Sequence, residues 1–492
     1  FDQDQRMGLL AHFKISQRVV SAALWFFFST GLSATAQQNI AAQPGRSESR
    51  PNIVFVLLDD VRYDDIVDHP FSKTPNIERL AREGSTFTNF FTSAPLCSPS
   101  RAVFLTGKYP HRNGIIDNGE RASQSHQLAT FPRLLHDAGY RTGFFGKWHM
   151  GHEDDSARPG FDRWVSFVGQ GVYFDPVLNI DGKTSQAKGY MSDILTEQAI
   201  SFIESSPRDT PFLVFLAHKA SHPEVHPKQV RTFPSPPVDT TLYQEDQIPR
   251  SPSYRAPLTG KPALKPTQEY SDPRSPPGGL PDSVIKDRLR MLQAVDRGID
   301  RLRSALEKRG VLDETVFVIT SDQGFFYGEF GLAQERRLAY ESSIRIPLIV
   351  RYPVIAQAGS RPSFLAGNVD VAPTLLEMAK APLPKDLDGK SMVKSWRGEA
   401  GPLRSKLLIE YYSDTEFPRL QKLGYQAIRT ERYKFIRYRE LTGVDELYDL
   451  HKDPFELDNL LRGNASAASL RRELSQQLDE MIDSRAPKID PH

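Results

Sequence analysis

The chain has 492 residues and a formal net charge of +1, from 62 Lys and Arg against 61 Asp and Glu. Hydrophobic residues make up 39% and aromatics 10%, which supplies a large core and excludes wholesale disorder, collagen and coiled coil. At roughly 100–200 residues per domain the length allows two or three units, or one large α/β domain with an appendage. The balanced charge argues against a nucleic-acid binder, which carries a basic excess.

Near the N-terminus, Lys14 and Arg18 precede an apolar run over 19–28, and the small-x-small pattern Ala34-Thr35-Ala36 follows. Residues 1–36 therefore read as a secretory signal peptide, which predicts a periplasmic or secreted protein after cleavage. An N-terminal membrane anchor is the other reading, but no later stretch is long and apolar enough to span a bilayer. Residues 37–50 are polar and read as a linker. The sequence has one cysteine, Cys97. In an exported chain a single thiol has no internal disulfide partner and needs another explanation.

Asn52–Leu58 is a continuous apolar run of strand length, suited to a strand buried on both faces of a parallel sheet. Helical periodicity follows over 75–81, with Gly84 as a stop. Further buried strands are expected at 211–217, 315–320 and 346–350, with a long helix over 283–308 before the third of these four strands. Strands alternating with helices predict an α/β layer fold with a mainly parallel sheet. The proline-rich stretch 231–281 lacks periodicity and reads as an irregular excursion over the surface. After a capped helix at 370–376 the pattern changes. Alternating residues over 425–438, a short strand at 446–450 and an amphipathic helix over 469–482 predict a smaller antiparallel unit. The expected organisation is a main domain over 51–400 and a C-terminal α+β subdomain over 401–492.

Asp59 and Asp60 directly follow the first buried strand; Asp322 and Gln323 follow the third. Ligands of open α/β sheets bind outside the carboxyl ends of the strands, so both pairs are expected to face one crevice. Three carboxylates and an amide oxygen form a hard, all-oxygen ligand set suited to Ca²⁺ or Mg²⁺. A helix cap is the alternative for Asp59-Asp60 taken alone. Cys97 lies in Cys97-Ser98-Pro99-Ser100-Arg101, where Pro99 marks a first helical turn, so the thiol is expected at a helix N-terminus that favours an anion. A low-pKa thiolate nucleophile is one reading. A phosphatase of the Cys-x5-Arg kind is not, because position 103 is Val103.

Cys97-Ser98-Pro99-Ser100-Arg101 followed by Leu105-Thr106-Gly107 resembles the Cys-x-Pro-x-Arg…Thr-Gly signature of the type I, formylglycine-dependent sulfatases of the alkaline phosphatase superfamily. Further motifs of that family occur in order: Leu58-Asp59-Asp60, Gly146-Lys147-Trp148-His149-Met150-Gly151, Ser321-Asp322-Gln323-Gly324, the stretch from Tyr340 to Pro347, and Glu446-Leu447-Tyr448-Asp449-Leu450. The resemblance implies an alkaline-phosphatase-like α/β fold with a small C-terminal antiparallel sheet. It also implies that a maturation enzyme oxidises Cys97 to formylglycine, whose hydrate attacks sulfur and becomes sulfated. Asp59, Asp60, Asp322 and Gln323 would hold Ca²⁺ (Mg²⁺ is possible) beside the modified Cys97. Arg101 would hold the formylglycine, Lys147 would pair with sulfate, and His149 would take the proton that releases it.

His218 and His222 are offered as sulfate-binding residues, with His222 favoured. The family more often has Asn or His at the position of Gln323, and often a Lys at that of Arg336. A guanidinium binds charge but cannot deliver a proton, which shifts the role of leaving-group acid towards His222. A structural ion pair is the alternative for Arg336. The 175–183 segment resembles the corresponding region of sulfatases acting on glucosamine 6-sulfate, as in N-acetylglucosamine-6-sulfatase, so a sulfated saccharide is the expected substrate. The rivals are a phosphonate or phosphate ester hydrolase and a non-catalytic sulfated-glycan binding protein.

Overall fold

The computed structural model describes residues 50–69, 72–226, 231–265, 279–412, 422–462 and 467–482. The expected signal peptide at 1–36, and the expected linker at 37–50 apart from Arg50, lie outside the described residues. The main sheet uses β1 (Asn52–Leu58), β2 (Ser85–Thr86), β3 (Arg141–Gly146), β4 (Arg163–Ser166), β5 (Val177–Ile180), β6 (Lys183–Gln186), β7 (Phe212–Ala217), β8 (Thr315–Ser321) and β9 (Leu348–Arg351). Its order is β2-β9-β8-β1-β7-β3-β4-β5-β6. The five strands from β8 to β4 run parallel, and both flanks turn antiparallel. This is the expected mainly parallel α/β sheet.

The centre is parallel because its strands are apolar on both faces. In β1, Val54, Val56 and Leu58 join one core while Ile53, Phe55 and Leu57 join the other. Strand β7 divides in the same way, with Val214 and Leu216 against Leu213 and Phe215. Such strands need helices on both sides. On the first face lie α3 (Met191–Ser205) and α4 (Asp282–Arg309), contributing Leu195, Phe202, Leu292, Val295 and Ile299. On the second lie α2 (Cys97–Thr106) and α5 (Val371–Met378), with Ala102, Phe104, Leu375 and Leu376. Phe55 sits at the middle of that second face, its ring 4.9 Å from Phe215 and 5.8 Å from Phe104. Truncating such a core aromatic costs about 3–5 kcal/mol. The helix expected after β1 is α1 (Pro75–Glu83), ended by Gly84.

Beyond α5 the chain forms a four-stranded antiparallel sheet, β10 (Lys406–Tyr411) to β11 (Tyr425–Thr430) to β12 (Tyr433–Tyr438) to β13 (Glu446–Asp449), with α6 (Ala467–Met481) packed on β11 and β12. Glu446 is fully buried there and accepts hydrogen bonds from the hydroxyls of Tyr340 (2.6 Å), Tyr438 (3.0 Å) and Tyr448 (2.5 Å). Two of the sequence motifs thus meet through one carboxylate, which docks the small sheet onto the main domain.

The described part of the proline-rich stretch has only short elements, including Pro237–Asp239 and Pro262–Leu264. Most of its described residues are exposed or half-buried, but it turns inward at Lys261. Lys261 is fully buried, its ammonium within 4.4 Å of the Phe330 and Tyr448 ring centroids and bonded to the Tyr448 hydroxyl. The cause is a cation held by aromatic faces.

Candidate active site

Strand register brings the polar residues together. Leu58 pairs with Ser321, so Asp59 and Asp322 leave the sheet side by side. Ala217 pairs with Gly146, so His218 and Lys147 do the same, and Leu57 pairs with Ala217 to align the two halves. Four adjacent parallel strands therefore release their carboxyl ends into one crevice. Gly146 makes the last step possible. It has φ 121°, and a Cβ there would lie 1.9 Å from the Ala217 carbonyl oxygen. Asp60 and His149 also adopt left-handed backbone, at φ 59° and 66°, which non-glycine residues keep only where surrounding contacts hold them.

The fifth contribution is α2, which begins at Cys97 and ends at Gly107 with φ 64°. Every residue of it is buried. Two side chains on its first turns fasten it to the end of β8. Ser100 Oγ donates to the Asp322 carbonyl at 2.5 Å. Arg101 donates through Nε and Nη2 to Asp322 Oδ2 (3.0 and 2.8 Å), through Nη2 to Asp59 Oδ2 (3.2 Å), and through Nη1 to the Lys147 carbonyl (2.6 Å). Cys97 is thereby held with Sγ 4.0 Å from Asp59 Oδ1 and 3.3 Å from Gln323 Nε2. The expected helix N-terminus is present. The thiolate reading is not supported: burial pushes the Cys97 thiol up, and Lys147 only partly offsets this.

Carboxylate oxygens of Asp59, Asp60 and Asp322 lie within 4.8 Å of one another, all fully buried. Burial and the neighbouring Asp59 charge push Asp322 up to about 7, despite Arg101. Asp59 goes the other way. Burial would raise it, but Lys147, bonded at 2.5 Å, and Arg101 together hold it low. Asp60 Oδ2 and Gln323 Oε1 are buried without a hydrogen-bond partner, while Gln323 Nε2 donates to Asp60 Oδ1 at 2.7 Å. Mutually repelling carboxylates with two orphaned oxygens fit a hard divalent cation such as Ca²⁺ or Mg²⁺.

Cations and imidazoles complete the wall. Arg336 places Nε 3.2 Å from Asp60 Oδ1 and Nη2 3.2 Å from His222 Nε2. His222 Nδ1 donates to the Pro223 carbonyl at 2.7 Å, so Nε2 accepts from Arg336 and the ring is neutral. Burial, with Lys147, Lys219 and Arg336 nearby, holds His222 well below its ordinary value. His149 is likewise held low by burial and by Lys147 and Arg101, which leaves it a neutral base. Its hydrogen bonds go to Ser98 Oγ (3.3 Å) and Gln170 Nε2 (2.8 Å) rather than to Cys97. His218 is buried with neither ring nitrogen hydrogen-bonded, and burial lowers it to about 3. Its backbone is placed at the crevice, but no hydrogen bond ties its ring to the cluster.

Several contributors had little or no sequence signal. Ser98 fixes His149 by donating to its carbonyl at 2.5 Å. Tyr173 places its hydroxyl 2.9 and 2.7 Å from the carbonyls of Lys219 and His222, holding that turn. Lys219 is fully buried, donates to the Pro223 carbonyl at 3.2 Å, and is lowered to about 7 by burial and by Lys147. Position relative to a strand end was the only available clue for Lys219. Gln170 and Tyr173 come from a loop with none.

Residues 51–381 match the Sulfatase family, and residues 328–484 match the family described as N-sulphoglucosamine sulphohydrolase, C-terminal. The chain is 33% identical to N-acetylglucosamine-6-O-sulfatase of Bacteroides thetaiotaomicron, over 94% of each protein. Among solved structures it superposes on BT4656 in complex with its substrate D-glucosamine-2-N,6-O-disulfate, with TM-score 0.79, 30% identity, and coverage of 90% of this chain and 100% of that one. It also shares its fold with the phosphonate monoester hydrolase of Agrobacterium radiobacter, at TM-score 0.69 and 21% identity over 88% and 95% of the two chains.

Proposed function

The chain belongs to the sulfatase family, and from that premise we propose that it is an exported carbohydrate sulfatase. It hydrolyses a sulfate monoester of a sulfated saccharide, of the glucosamine 6-sulfate class, using formylglycine at position 97 and a bound Ca²⁺. One observation carries this reading. The ends of four adjacent parallel strands gather three carboxylates, an amide and the cation Lys147, joined by Arg336 from the loop after β8, around a cysteine that opens a buried helix.

Asp59, Asp60, Asp322 and Gln323 would hold the ion, which supplies Lewis-acid stabilisation of charge on the sulfate oxygens. Formylglycine at position 97 would supply, as its hydrate, a nucleophilic hydroxyl and a second hydroxyl whose proton can be lost. The chain's own side chains do the rest. Lys147 and Arg336 neutralise the sulfate, in a site where burial makes each charge count for more than in water. Arg101 sets the spacing between the two strand ends and the helix that bears residue 97. His149, neutral and held by Ser98 and Gln170, accepts the proton whose loss expels sulfate. His222 is assigned the leaving oxygen, and His218 a further sulfate contact. Because His222 Nε2 carries a lone pair at rest, its acid role requires protonation there, and bound sulfate is the charge that favours it.

Export is supported by the 1–36 pattern; among the described residues no helix is long and apolar enough to cross a membrane. The implied partners are the saccharide and a formylglycine-generating enzyme. Incubation with a panel of defined sulfated saccharides, with released sulfate quantified by ion chromatography, tests the reading. Release from a glucosamine 6-sulfate is expected; turnover of aryl phosphonates without any sulfate release would overturn it.

A further inference from the structure

One buried cation near the site has no place in the chemistry above. Arg288 projects from the second turn of α4 and is 1% exposed. Its Nη1 donates to the Ser221 carbonyl at 2.9 Å, and its Nη2 donates to the Asp60 carbonyl. The guanidinium lies 4.0 Å from the Phe325 ring centroid, and Nε reaches the Tyr327 hydroxyl at 3.4 Å. That hydroxyl in turn donates to Asp65 Oδ1 at 2.7 Å.

The two carbonyls belong to the two turns that matter most for the site. Asp60 closes β1 in left-handed backbone and offers its carboxylate to the cluster. Ser221 immediately precedes His222. The turns already touch, through Asp59 N–H to the Ala220 carbonyl at 3.0 Å and Ser221 N–H to the Asp59 carbonyl at 2.8 Å. Those bonds run between backbones and leave the outward-facing carbonyls of Asp60 and Ser221 unsatisfied. A planar guanidinium with fixed donors can take both at once, while stacking on Phe325 stops it from turning. Asp60 Oδ2 and His222 Nε2 stand 4.0 Å apart.

We propose that Arg288 is a positioning residue of the sulfatase site, clamping the Asp60 and Ser221 turns so that the cation-binding carboxylate and the sulfate-facing imidazole keep one spacing. This inference rests on the sulfatase reading for the identity of the two functional groups. A purely structural arginine would affect stability alone. A positioning one affects the metal and the chemical step even in folded protein.

The test compares wild type with Arg288→Lys and Arg288→Met. Thermal unfolding checks the fold, and calorimetric titration with CaCl2 measures the ion directly. Steady-state kinetics on an activated aryl sulfate separates kcat from KM. An ammonium cannot span both carbonyls, so Arg288→Lys is expected to be folded, to bind Ca²⁺ at least tenfold more weakly, and to lose kcat with little change in KM. A misplacement of about 1 Å is worth roughly 10²-fold in rate, which sets the scale for Arg288→Met. If Arg288→Met does not fold, Arg288→Lys alone decides. A folded Arg288→Lys with Ca²⁺ affinity and kcat within about twofold of wild type overturns the proposal. Should wild type release no sulfate from any ester, the family-based function fails, and the Ca²⁺ titration still decides the role of Arg288.

Discussion

Arg101 offers the sharpest test of how the buried charges are balanced. The perturbation is Arg101→Met, which keeps much of the length and removes the charge. In the structure Arg101 is 2% exposed and makes two hydrogen bonds to Asp322, one to Asp59 and one to the Lys147 carbonyl. Asp59 keeps Lys147 as a partner, so the loss falls on Asp322, already pushed up by burial and by Asp59. Removing one member of a buried pair typically costs about 3–5 kcal/mol, because the other charge is left uncompensated. The expected result is a loss of that size in urea unfolding with EGTA present. Arg101→Met/Asp322→Asn, which removes both charges, should recover most of it, a coupling of about 2 kcal/mol or more. Ca²⁺ should stabilise wild type far more than the double variant, which lacks the Asp322 carboxylate, by mass action on the folded state. A loss below about 1 kcal/mol for Arg101→Met, with no recovery in the double variant, refutes this account of the cluster.

Other outcomes follow from the same geometry. Asp59→Ala and Asp322→Ala should fold and be nearly inactive, and EGTA should abolish wild-type turnover until Ca²⁺ or Mg²⁺ is returned; full activity in either variant removes the metal assignment. His222→Ala should slow sugar sulfates by about 10²–10⁴-fold more than activated aryl sulfates, since a good leaving group needs little proton transfer. Equal losses on both would make His222 a binding residue only. Burial would lower His111, but its 2.8 Å bond to Glu410 outweighs that and raises it. The pair's contribution is therefore complete below the unfolded value near 6.5 and fades as pH rises through the higher folded value. Wild type should lose melting temperature on that rise, and His111→Gln should not; parallel curves would show the pair to be inert.

Much of this was legible in the sequence because it depended on short-range pattern. Strands apolar on both faces announced β1, β7 and β8, and polar residues at their ends announced the crevice. Strand β3 was not legible as a strand. Arg141-Thr142-Gly143-Phe144-Phe145-Gly146 carries two glycines, and it is held by pairing with β7 and by the close approach at Gly146, neither of which is local. The apolar run at 346–350 read as a buried strand, but its antiparallel pairing with β8 is set by the connection rather than by composition. Arg288, Gln170 and Tyr173 were invisible for a related reason. Each acts on a backbone or ring far away in sequence, and nothing in their neighbours marks them.

The central claim is that no unmodified side chain at position 97 performs the reaction. A thiolate attacking sulfur would leave a thiosulfate-like adduct with no easy exit, and burial disfavours the thiolate in any case. Cys97→Ala should be inactive, and Cys97→Ser should at best be sulfated once and stall, for want of a second hydroxyl. The direct measurement is peptide mass spectrometry of mature, active protein across Cys97-Ser98-Pro99-Ser100-Arg101. The account predicts an aldehyde in place of the thiol, in proportion to specific activity. Fully active enzyme with an intact thiol at position 97 would contradict it.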